Sequence, residues 1–86
     1  MKKILIDTNA YSAFLSGDNK ILKQIIGSDI VYLSTIVIGE LYYGFHGGSR
    51  FEQNKEYLEI FLKKSNVQIL NVSIETAEIF GEIQMN

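Results

Sequence analysis

The order in which strand-like runs alternate with helical periodicities constrains this chain more than any other feature. Three segments have strand character: Lys3–Ile6, Ile30–Leu33 and Val67–Val72. Two helical patterns separate the first from the second, two more separate the second from the third, and one follows the third. Alternation of this kind implies parallel strands joined by right-handed helical crossovers. The first run is continuously apolar after its lysines, which suits a strand covered on both faces. The expected fold class is therefore α/β, with helices packed around a central parallel sheet.

Local signals place the helices. Thr8 or Asn9 is expected to cap a short helix over Ala10–Leu15, closed by Ser16-Gly17. Asp18 is a natural N-cap for the next, where Ile21, Leu22, Ile25 and Ile26 share a face and Gly27 supplies the stop. Ser34-Thr35 is a cap pair between the second strand and a helix expected to end near Gly44, before the loop Gly47-Gly48-Ser49. Phe51–Ser65 is the clearest helix, with Tyr57, Leu58, Phe61 and Leu62 on one face. Ser73 caps a last helix that groups Ile79, Phe80 and Ile83 with Thr76 and is expected to run to Asn86.

Composition removes several function classes. The 86 residues allow one small domain, with a thin margin of stability. No run approaches the roughly 18 apolar residues of a membrane span, and the N-terminus has no secretory signal. The absence of cysteine excludes a disulfide framework or thiolate metal site and points to a cytoplasmic setting. A net charge of −2 argues against a broad basic surface. There is no G-x-G-x-x-G or P-loop to support a small-molecule-binding doubly wound domain.

Two acids then stand out. Asp7 follows the first strand, and open parallel sheets bind ligands beyond the carboxyl ends of their strands. Glu40 lies one to two turns into the helix after the second strand, with Ile36, Val37, Tyr43 and Gly44 as its helical neighbours. Both acids are expected to be partly desolvated and to converge. Buried unpaired carboxylates are costly unless a cation compensates, and Lys2 and Lys3 lie at the wrong end of the strand. A hard divalent cation such as Mg²⁺ fits two oxygen ligands, keeping its waters for a phosphate. On the residues alone, a solvated or capping role for both acids stays open. His46 reads as a loop residue, Lys20, Lys23, Lys63 and Lys64 as solvated, and Arg50 as a possible phosphate contact. Tyr42, Tyr43, Phe45 and Tyr57 read as core or interface aromatics.

The stretches Ile4-Leu5-Ile6-Asp7-Thr8-Asn9 and Ser34-Thr35-Ile36-Val37-Ile38-Gly39-Glu40-Leu41-Tyr42-Tyr43-Gly44 resemble the first two motifs of PIN-domain ribonucleases, and most closely the VapC-type toxins of toxin–antitoxin pairs. The resemblance implies a three-layer α/β/α domain over residues 1–86 that lacks the family's C-terminal strand and its later acids. It implies a Mg²⁺- or Mn²⁺-dependent endoribonuclease acting on RNA, restrained by an antitoxin and often a homodimer. By position, Asp7 and Glu40 correspond to the family's metal-binding, catalytic acids, and Thr8 and Asn9 to the small polar residues that support the first. With the later acids missing, weak metal affinity and impaired cleavage are expected. The alternative is a non-catalytic remnant that binds an antitoxin or associates with itself across an uncovered sheet edge.

Overall fold

Lys3–Leu5 forms strand β1 in the computed structural model, which describes residues 1–85. The chain continues through α1 (Thr8–Leu15), α2 (Asn19–Ile26), β2 (Ile30–Ser34), α3 (Thr35–His46) and α4 (Phe51–Leu62). It ends with β3 (Val67–Leu70), α5 (Ile74–Glu82) and the two-residue β4 (Gln84–Met85). The strands form one sheet in the order β3-β2-β1-β4, with every pairing parallel.

Alternation along the strands divides the core into two layers, because successive side chains leave opposite faces of a pleated sheet. Ile4, Ile6, Val31 and Leu33 face α1, α3 and α4, where Ala10, Tyr11, Leu41, Phe45, Leu58 and Phe61 cover them. Leu5, Tyr32 and Leu70 face the other way, against Ile79 and Ile83 at the end of α5. The three-layer α/β/α arrangement thus follows from apolar strands buried on both faces. Fully burying a side chain such as Leu58 stabilises by about 2 kcal/mol, against about 1 kcal/mol for a helix cap. Burial therefore holds the layers together, while caps decide where the helices begin.

Three caps lie where the sequence places them. The Asp18 carboxylate accepts from the Lys20 and Ile21 amides, Ser34 Oγ from Val37 and Ser73 Oγ from Thr76. Gly17, with φ +93°, closes α1 in a conformation that other residues rarely adopt. Several boundaries differ from expectation. The first helix starts at Thr8, because Asp7 rather than Thr8 or Asn9 is its cap. Helix α3 continues through Gly44 to His46, and its last carbonyls are met by the Gly47 amide. Helix α4 ends at Leu62 instead of Ser65. Strand β3 stops at Leu70, opposite Ser34, because its partner β2 turns into α3 there. On α2 only Ile25 is buried; Ile26 is 74% exposed, so half of the expected apolar face meets solvent.

The end of the chain changes most. The last helix stops at Glu82, and Ile83 adopts an extended conformation that turns the backbone into β4. Gln84 and Met85 pair with Ile4 and Leu5, so the outer edge of β1 carries a two-residue fourth strand not expected from the sequence. The helix expected to run to Asn86 thus ends four residues earlier, while Asn86 itself and the facing of Phe80 lie outside the described residues. Among those described, no helix is long and apolar enough to cross a membrane.

Tyr11 is the largest fully buried side chain. Its ring meets Phe61 edge-on at 5.4 Å and Phe14 at 5.9 Å, but its hydroxyl has no partner among the described residues. Burial, aided by the nearby Tyr42, lifts its pKa from 10.0 to about 12. Two outcomes follow from this core. Leu58→Ala should cost about 2–5 kcal/mol in urea denaturation, enough to consume much of a small domain's stability. The folded state holds the Tyr11 proton more tightly than the unfolded chain, so that stability is intact below pH 10 and is lost as pH rises toward about 12. Tyr11→Phe should match or exceed the parent's stability at neutral pH, since it deletes an unpartnered hydroxyl, and should remove that part of the alkaline loss.

Candidate active site

Parallel pairing brings the two motif regions to one edge. Leu5 lies opposite Tyr32, and the Ile6 amide donates to the Tyr32 carbonyl at 2.9 Å, so β1 and β2 end on the same side of the sheet. The chain steps outward from β1 to β2 to β3, then returns across β1 to β4. The reversal of strand order falls beside the end of β1, the place where open α/β sheets hold their ligands. Asp7 stands there, half-buried.

Its carboxylate has a structural task already. Extended at φ −88° and ψ 178°, Asp7 turns Oδ1 toward the Ala10 amide, which donates to it at 2.7 Å. An aspartate outranks threonine as a cap, and its charge suits the positive end of the helix. One carboxylate oxygen is therefore anchored, which fixes the direction of the other.

Thr8 does not turn back to support Asp7. Its hydroxyl donates to Glu40 Oε1 at 2.8 Å, tying the first residue of α1 to the middle of α3. Asn9 is exposed. The acid motifs are thus linked through Thr8, a role the sequence reading assigned to the wrong carboxylate. Glu40 is also exposed, where partial desolvation was expected. Its apolar neighbours explain the difference: Ile36 is 60% exposed and Tyr43 82%, so they accompany Glu40 into solvent.

A cavity of about 290 Å³ opens beside Glu40, bounded by Thr8, Ser12, Leu15, Ser16, Leu41, Gly44, Phe45 and Asn54. The sequence reading passed over Asn54. A signal was available, because Asn54 falls on the inward stripe of α4 with Phe51, Leu58 and Phe61, a single amide in an otherwise apolar row. The other residues singled out lie elsewhere. His46 ends α3 and stacks on Phe51 at 4.1 Å instead of occupying a loop. Arg50 is exposed at the start of α4, and Phe45 belongs to the core while Tyr43 does not.

The donor chemistry fits a hydrated hard cation. Asp7 and Glu40 supply oxygen donors, each with one oxygen engaged by the protein, and Mg²⁺ is commonly held by one or two carboxylates plus water and phosphate. Among the described residues, no group of three or more His, Asp or Glu side chains is placed to enclose a metal.

Comparison with known proteins identifies the family and the fold. The family model of the PIN domain matches residues 4–85. The chain belongs to the PIN-domain family. Among solved structures, a chain of VapBC2 from Rickettsia felis, determined bound to a DNA fragment from their promoter, superposes with a TM-score of 0.65 at 26% identity. The match covers 93% of this chain and 62% of that one, so the PIN domain described here spans under two thirds of that solved chain's length. It is similar to the VapC type within the family. No curated protein matches significantly.

The capping role of Asp7 can be tested by substitution. Asp7→Asn, an equally good cap, should leave stability within a few tenths of a kcal/mol, whereas Asp7→Ala should lose about 1 kcal/mol in urea denaturation.

Proposed function

We propose that this PIN domain is a divalent-metal-dependent endoribonuclease that hydrolyses RNA phosphodiester bonds, the toxin of a toxin–antitoxin pair. The observation that carries the reading is the Thr8–Glu40 hydrogen bond, which joins the acid-bearing start of α1 to the acid-bearing face of α3 at the switch point. Asp7 and Glu40 are the catalytic, metal-holding residues in this proposal. Thr8 positions Glu40, and Asn9 flanks Asp7 from the exposed side.

A bound Mg²⁺ or Mn²⁺ ion would neutralise charge developing on the scissile phosphate and lower the pKa of a water molecule. The chain's own residues do the rest. The Ala10 amide holds Asp7 Oδ1 and so orients the carboxylate. The Thr8 hydroxyl holds Glu40 Oε1, leaving Oε2 free as a donor. Orientation of this kind lowers the barrier because the donors need not reorganise as charge develops.

The proposed partners are an antitoxin and a second copy of the chain. Support for association comes from Ile36, Val72 and Ile74, which are 60–81% exposed beside a largely apolar cavity of about 400 Å³. A second reading has its own observation: two carboxylates without a third acid among the described residues suit a non-catalytic remnant that binds an antitoxin.

Incubation with single-stranded and structured RNA separates the two. The nuclease reading expects cleavage with Mn²⁺ that vanishes in EDTA and in Asp7→Asn. It also expects Thr8→Val to lower the rate by about 10–100-fold, the usual cost of losing a group that orients a ligand. Absence of cleavage by the correctly folded parent chain favours the remnant. Calorimetry should find weak Mg²⁺ binding, reduced further by Glu40→Gln.

A further inference from the structure

The cavity beside Glu40 is built unlike a phosphate site. Its only charged wall is the Glu40 carboxylate, and no lysine, arginine or histidine lines it. Phosphate recognition calls for cations or converging amides, so a phosphate is repelled here rather than held. The floor is apolar, formed by Leu41 and Phe45, while Ser12 and Asn54 stand on the walls. Among the described residues, neither the Ser12 hydroxyl nor the Asn54 amide makes a side-chain hydrogen bond within the protein. Asn54 is half-buried and lines the cavity, where its amide donor and acceptor remain free to meet a ligand. Such a group calls for a ligand that offers a complementary pair.

Size narrows the choice. The volume of about 290 Å³ is at the bottom of the roughly 300–1,000 Å³ range of small-ligand sites, which suits one flat ring system better than an extended chain. A planar, uncharged group with an apolar face and a hydrogen-bonding edge is a nucleobase, and unpaired RNA bases are read by packing of the ring and hydrogen bonds to its edge. We propose that this cavity receives the base of the nucleotide next to the scissile phosphate in single-stranded RNA, with Asn54 reading the base edge. The assignment of that phosphate rests on the nuclease reading above; the affinity for a base does not need the metal or cleavage. Asn54 is then a specificity-determining residue, and Glu40 forms the border between the base pocket and the reacting phosphate.

Gly44 makes the proposal testable without disturbing the acids. A side chain at this position would project into open space, and it lines the cavity. Gly44→Leu should therefore fill the pocket while favouring the helix, since leucine is the better helix former. The full chain, in EDTA, is titrated with each of the four ribonucleoside 5′-monophosphates and with ribose 5-phosphate, following backbone amide shifts by NMR. The expected result is that at least one nucleotide shifts Ser12, Gly44 and Asn54 while ribose 5-phosphate does not. Asn54→Ala should weaken that binding about tenfold, the loss of one paired base contact, and Gly44→Leu should abolish it. Equal shifts with ribose 5-phosphate, binding that survives Gly44→Leu, or no response to any nucleotide would overturn the proposal. So would a response confined to an arginine-containing peptide, which would make the cavity a protein-docking site. Base binding by a chain that cuts no RNA would sink the nuclease reading alone, and cleavage without base binding would sink only the pocket.

Discussion

The parallel register of β1 on β2 is the constraint from which the site follows. With Leu5 opposite Tyr32, the two strands leave the sheet on the same edge. Asp7, just past β1, and Ser34, the last residue of β2, each cap a helix there through a side-chain oxygen. An antiparallel pair would have put these caps at opposite ends, and the two acids with them. Because both helices start from one edge and return over the same face, the start of α1 lies against the middle of α3, close enough for Thr8 to reach Glu40.

Asp7 shows how a residue's structural tasks orient its carboxylate. It ends a strand, starts a helix and presents a carboxylate at the switch point, and the first two duties determine the geometry of the third. The anchoring bond to Ala10 contributes only about 1 kcal/mol to stability, so its larger consequence is orientation. The Thr8–Glu40 bond is similar in kind. It is exposed, and an exposed hydrogen bond adds little net stability because water competes for both groups. What it supplies is a fixed direction for a long, flexible side chain.

The stability of the domain comes from elsewhere, chiefly the apolar layer of Ile4, Ile6, Val31, Leu33, Leu58 and Phe61. The opposite layer is thinner, resting on Leu5, Tyr32, Leu70 and the end of α5. Several large apolar side chains remain outside both. Val72 and Ile74, at the start of α5, and Ile36 and Tyr43, on α3, are mostly exposed. Of these, Ile36 and Tyr43 are helical neighbours of Glu40 on α3, so part of the exposed apolar surface adjoins the proposed site.

Local chemistry made much of this legible beforehand. Asp18, Ser34 and Ser73 act within three residues of themselves, so their caps could be read directly from the chain. The continuous apolar run at residues 4–6 declared a strand buried on both faces, and the alternation of elements declared a parallel sheet. Reading failed where neighbours in space decide. Helix α3 is apolar around most of its circumference, so its periodicity could not identify Leu41 and Phe45 as the buried side or Glu40 as the exposed one. Asp7, Thr8 and Asn9 are all competent caps, and only the backbone turn after β1 selected the first. By itself the sequence determined the elements from β1 to α5 and that the strands run parallel, since these depend on propensity, capping and period. Tertiary structure alone decided that Thr8 serves Glu40, that Asn54 borders a cavity and that residues 84–85 add a strand to β1, because each depends on contacts between segments distant in the chain.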